Sequence, residues 1–131
     1  MDAATRTAAM LTITLLGDPR SKKNSQRIIH AGGRTIPITS KAYEQYRRDC
    51  LAQITGDKRR GIDTPVNVRC VYYMATLRIV DLVNLLEATC DILVDAGVLA
   101  DDNSRIVSSH DGSRVEYDKQ NPRVEIEITE V

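Results

Sequence analysis

The sequence predicts a single α+β domain in which a mixed, mainly antiparallel sheet carries two principal helices. Three observations predict it. The chain opens and closes on alternating, β-forming segments, Leu11–Leu16 (LTITLL) and Arg123–Thr129 (RVEIEIT). Between them, two stretches repeat apolar residues at helical spacing, Lys41–Ile54 and Leu82–Ala96. At 131 residues the chain can bury one core but not two, and no repeat, low-complexity tract or linker divides it. With no Phe or Trp, that core must be built from Leu, Ile, Val, Ala, Met and some of the five Tyr.

The first nine residues, MDAATRTAA, lack the apolar core of a signal peptide. Residues 1–10 are therefore expected to be a flexible tail, or an upstream start before Met10, and residues 11–131 the domain. After the first strand, GDPRSKKNSQRI breaks the pattern with Gly and Pro and presents Arg20, Lys22, Lys23 and Arg27 around Asn24 and Ser25. Cations mixed with short polar side chains suit phosphate oxygens, although a solvated loop has the same composition. Ile28–His30 and Thr35–Ile38 flank AGGR as the arms of a small hairpin. Ser40 is placed to cap the first helix, whose apolar stripe is Tyr43, Tyr46, Cys50, Leu51 and Ile54, with Arg47 and Arg48 toward its polar side. GDKRRG at Gly56–Gly61 is a basic loop, and Val66–Met74 (VNVRCVYYM) is a strand whose direction delivers the chain to Asp81. Arg105–Ser109 is a short strand candidate, and HDGSRVEYDKQNP holds two turn signals, DG and NP.

The stretch that organises the rest is Asp81–Asn103, DLVNLLEATCDILVDAGVLADDN. Leu82, Leu85, Leu86, Ile92, Leu93 and Ala96 make a broad apolar face, flanked by Val83, Cys90 and Val94. Asn84, Glu87, Asp91 and Asp95 step by 3, 4 and 4, which confines them to one narrow stripe. Asp81 can cap this helix and Gly97 can end it in a left-handed conformation. Asp101 and Asp102 follow the Gly by about one turn of chain, from where they could return to the same place. Carboxylates converging from separated segments are what a magnesium ion needs. The same residues also serve as a cap, a turn and a solvated helix face, and local chemistry does not choose between the two readings.

Net charge is zero, but it is divided unevenly. Residues 1–80 hold 14 Lys and Arg against 6 Asp and Glu, whereas residues 81–131 hold 4 against 12. A basic half to hold a polyanion and an acidic half to hold metal is one account; attraction between the two halves is the other. Cys50, Cys70 and Cys90 are odd in number and lack metal-ligand spacing, as expected of reduced, buried thiols in a cytoplasmic protein. His30 and His110 are too far apart to argue for zinc, and no run is long and apolar enough to span a membrane. A nucleotide-binding or scaffold module whose acidic turn is structural is a further reading, but no Gly-rich phosphate loop supports nucleotide binding.

From Leu11 to Val131 the sequence resembles the RusA family of Holliday-junction resolvases, small endodeoxyribonucleases carried by phages and prophages. The resemblance lies in the first strand followed by GDPRSKKNSQRI, in D-L-x-N-L-x-x-A-x-x-D-x-L at Asp81–Leu93, and in G-V-L-x-D-D at Gly97–Asp102. It implies a homodimer that binds a four-way DNA junction and nicks two strands symmetrically, using magnesium or manganese, in recombination and DNA repair within a bacterial cell. It also implies that Asp81 and Asp102 are catalytic carboxylates, with Asp101 beside them. Two residues depart from the family pattern. Val83 stands where D-L-D-N has a metal-binding Asp, and Glu87 stands where the family has a Lys. Glu87 could reach back toward Asp81 and replace the missing ligand. The expected metal set is therefore Asp81, Asp101, Asp102 and Glu87, with Asp91 orienting ligands from behind. Lys22, Lys23, Asn24, Arg27, Arg47 and Arg48 are the expected DNA contacts, chosen for charge and polarity. The alternative for such a site is a junction-binding protein with weak or no cleavage.

Overall fold

The computed structural model describes residues 9–22, 26–31 and 34–131, with the side chains of 26–31 and 34–39 outside the description. Its elements are β1 (Leu11–Leu16), β2 (Gln26–Ala31), β3 (Arg34–Thr39), α1 (Lys41–Gln53), β4 (Val66–Met74), α2 (Leu82–Asp95), β5 (Val107–Ser109), β6 (Arg114–Tyr117) and β7 (Arg123–Glu130). Residues 1–8 of the expected tail lie outside the described residues, while the Met10 amide already bonds Ile128 O at 2.8 Å and so continues the β1–β7 pairing.

The main sheet has five strands in the order β1-β7-β4-β5, and β6 also pairs with β4. β7 is antiparallel to both of its neighbours, whereas β5 and β6 run parallel to β4. Parallel neighbours cannot be joined by a hairpin, so the chain must cross over the sheet between them, and α2 is that crossover. Alternation in β1 and β7 buries Leu11, Ile13 and Leu15 with Val124, Ile126 and Ile128. β4 buries Val66, Val68, Cys70, Tyr72 and Met74 on one face, while Asn67, Arg69 and Tyr73 on the other are half-buried. β2 and β3 form a separate antiparallel hairpin, longer than expected at both ends.

Ser40 caps α1 by accepting from Tyr43 N at 3.1 Å. Gln53 at the far end of the helix brackets the edge of β1, accepting from Leu16 N at 2.7 Å and donating to Leu16 O at 3.0 Å. α2 lies on the sheet through Tyr72 and Thr89, whose hydroxyl oxygens are 2.7 Å apart. Thr89 spends its own proton on Leu85 O at 3.0 Å, so Tyr72 is the donor. Gly97 takes φ +79°, and the chain after it is held by Gly61 N on Gly97 O at 2.8 Å and Ile62 N on Val98 O at 2.9 Å.

Three expectations need adjustment. Val83 does not cover an apolar flank; it sits in the first turn of α2 and is 68% exposed. The short strand after the acidic turn starts at Val107, because Arg105 and Ile106 are still in a turn closed by Ile106 N on Asn103 O. The segment with the two turn signals, DG and NP, also contains β6 between them, a strand the sequence reading did not place. The three cysteines are free and buried, as expected. Among the described residues no helix is long and apolar enough to cross a membrane.

Candidate active site

Two loops meet at the start of α2. The Asp18 carboxylate accepts from Ala75 N at 3.0 Å and from Arg78 Nη1 at 2.9 Å, while Arg78 Nη2 donates to Pro19 O at 3.2 Å. This clamp ties the loop after β1 to the loop after β4. From it, residues 18–22 run alongside α2: Pro19, Arg20 and Ser21 line a pocket with Val80 and Leu85, and Lys22 reaches Asp91. A basic loop is thereby laid against an acidic helix.

Asp81 caps α2, its carboxylate accepting from Val83 N at 3.0 Å. Glu87 projects from the exposed side of the helix. At the C-terminal half, Lys22, Asp91, Val94, Asp95 and Asp102 line one cleft. Lys22 Nζ donates to Asp91 Oδ2, and Arg47 Nη2 donates to Asp95 Oδ2 at 2.7 Å. Asp101 is occupied locally: it accepts from Asp102 N at 2.8 Å and from Asn103 Nδ2 at 3.0 Å, and these bonds hold its carboxyl below the usual range. Asp102 is pushed the other way, by desolvation first and then by the Asp91 and Asp101 carboxylates. Tyr43, from α1, has a buried hydroxyl that finds no partner among the described residues; burial, then the Asp91 charge, push it up to about 12.

Asp102 therefore meets Asp91 and Asp95. Asp81 stands ten residues before Asp91 on the same helix, which is about 15 Å along the axis. Among the described residues no group of three or more His, Cys, Asp and Glu is gathered closely enough to hold a metal ion. The set Asp81, Asp101, Asp102 and Glu87 is thus not collected around one point within one chain.

The expected DNA contacts divide similarly. Lys22 and Arg47 are on acids of the cleft, and Arg48 donates to Gln45 Oε1 at 3.0 Å. Lys23 and Asn24 lie outside the described residues, and so does the side chain of Arg27 in β2. Sequence reasoning missed the Asp18–Arg78 clamp and the place of Tyr43. Only the isolated Asp in GDPR hinted at the first; the apolar stripe of α1 foretold that Tyr43 is buried, but not that Asp91 acts on it.

A mixed sheet is thus crossed by one helix, with a basic loop laid along that helix and acids at both its ends, charges of the kind a nuclease uses. Comparison with known families agrees: the profile described as Endodeoxyribonuclease RusA matches residues 17–129. The chain belongs to that family, whose members are endonucleases that resolve Holliday junctions. A search of curated proteins finds no match.

Proposed function

We propose that the protein is a structure-specific endodeoxyribonuclease that cuts four-way DNA junctions during recombination and repair, acting as a homodimer with magnesium or manganese. The observation that carries the reading is α2 itself, with Asp81 at one end, Asp91 and Asp102 at the other, and family membership across residues 17–129. Asp81, Asp101 and Asp102 are the proposed catalytic carboxylates, Asp91 supports Asp102, and Glu87 supplements the acids near the middle of the helix.

Among the described residues the acids of one chain do not gather as a divalent ion needs, with several oxygens around a single point. Splitting them between two ends of a helix supports the homodimer. A two-fold axis lying across the helices would set them antiparallel, so that the Asp81 end of one faces the same way as the Asp102 end of the other. A junction also has two strands to cut, and each chain carries one acid set. Basic residues near the cleft supply affinity for the backbone without reading bases.

A synthetic four-way junction incubated with magnesium, manganese or chelator tests this reading. Paired symmetric nicks that vanish with chelator are expected. A retarded complex with intact DNA in every metal would leave a junction binder, and no preference for junction over duplex would remove both.

A further inference from the structure

The outer edge of β6 is unused. β6 pairs with β4 on one side, and no strand among the described residues pairs with the other. All four of its residues are exposed. The register Tyr72↔Val115 and Met74↔Tyr117 places Val115 and Tyr117 on the sheet face that α2 covers over β4. The helix does not extend over β6, so Val115 is left 38% and Tyr117 47% exposed, with Leu77 beside them at 81%. An open strand edge flanked by apolar side chains is a template for pairing.

We propose that this edge is where a second copy of the chain docks, β6 against β6 in antiparallel register. The inference rests on the homodimer reading above. Its charges say which occupant fits. On the face opposite Val115, Arg114 and Glu116 pair with one another, Nε to Oε1 at 2.7 Å, and both are about half exposed. Antiparallel pairing centred on Val115 sets Arg114 of each copy against Glu116 of the other, and Val115 against Val115. The edge is therefore complementary to itself in charge and apolar on its helix face. Nearby, Arg123 is already engaged by Asp118 and Glu125. Arg114 and Arg123 are thus both held by carboxylates, which leaves Lys119 facing solvent and favours protein over DNA phosphates as the occupant. Pairing would join two five-stranded sheets across a two-fold axis normal to them, with both α2 helices on one face and antiparallel.

Light scattering on the full chain and on charge variants tests the proposal. The unmodified protein should scatter near twice 14.6 kDa. Arg114→Glu and Glu116→Arg each place like charges across the interface and should each fall to the 14.6 kDa monomer. An equimolar mixture of the two variants pairs opposite charges at both contacts and should recover the dimer, which shows that neither variant failed to fold. Dimeric single variants, or a mixture that stays monomeric, would overturn this interface while leaving the homodimer reading intact. If those single variants remain dimers but lose junction binding, the edge touches DNA instead. A monomeric unmodified protein, free and junction-bound, would remove the homodimer reading itself.

Discussion

Lys22 donates to Asp91 across 69 residues of sequence, and that same Asp91 carboxylate helps hold a proton on Asp102. The pair joins the basic loop after β1 to the acidic half of α2.

If Lys22 moves from Asp91 to a phosphate on binding, Lys22→Ala should flatten the plot of log affinity against log salt by about 0.9. It should also lower the stability of the free protein by roughly 0.2–1 kcal/mol, since the ion pair is partly exposed. Electrophoretic mobility shifts at several salt concentrations measure the first effect, and thermal melts the second. An unchanged slope would mean that Lys22 stays on Asp91 in the complex.

Asp81 carries two duties that substitution can separate. Asp81→Ala removes the helix cap and should cost about 0.5–2 kcal/mol, whereas Asp81→Asn keeps a good cap and should leave the melt nearly unchanged. Both should abolish cutting. Junction cleavage beside thermal melts checks this, and a fully active Asp81→Asn would take Asp81 out of the chemistry.

Val83 occupies the second helical position, exposed and next to the positive end of α2. Val83→Asp should stabilise the chain by about 0.3–1 kcal/mol through the helix dipole. It should also lower the magnesium needed for cleavage, and Glu87→Gln should raise it. A magnesium titration of the nicking rate decides. Normal cutting by Glu87→Gln at limiting magnesium would show that Glu87 does not replace the carboxylate missing at Val83.

Asp102 holds its proton more tightly in the folded chain than in the unfolded one. A group of that kind favours the fold at low pH, and the contribution is lost as pH rises through its folded pKa. In the metal-free protein at pH 7 Asp102 therefore works against stability. Asp102→Asn should raise the melting temperature there by about 1–2 °C, a modest gain because the group is exposed. The gain should disappear below pH ~4, where an unfolded Asp is also protonated. A gain that persists in acid would point to packing instead of charge.

β1, β4, α2 and β7 were legible because each buries one side and so stamps its period on the sequence. Asp81, Ser40 and Gly97 marked helix ends by local chemistry, and the structure uses them that way. β6 left no such mark: exposed on every residue, Arg-Val-Glu-Tyr has no buried side to repeat. Val83 was misjudged because an apolar residue next to a broad apolar face reads as part of it. The contacts of Lys22 with Asp91 and of Arg47 with Asp95 join distant segments, and periodicity carries no information about such pairs. For the same reason the acidic motif could announce a site without telling that Asp81 and Asp102 lie at opposite ends of a rod.

The sheet order has a consequence for how the protein comes into being. β7, the last of these strands to be made, lies between β1 and β4 and pairs with both. Until its residues leave the ribosome, β1 and β4 have a gap between them one strand wide. β1 must wait while every other element is made before its partner appears, with the cost in rate that long-range pairing carries. A nascent chain halted before Arg123 could form helical turns and the β2–β3 hairpin, but no closed core. Such a chain would hold the basic half of the molecule beside an unfinished sheet, so the order of the strands ties assembly of the acidic cleft to the arrival of β7.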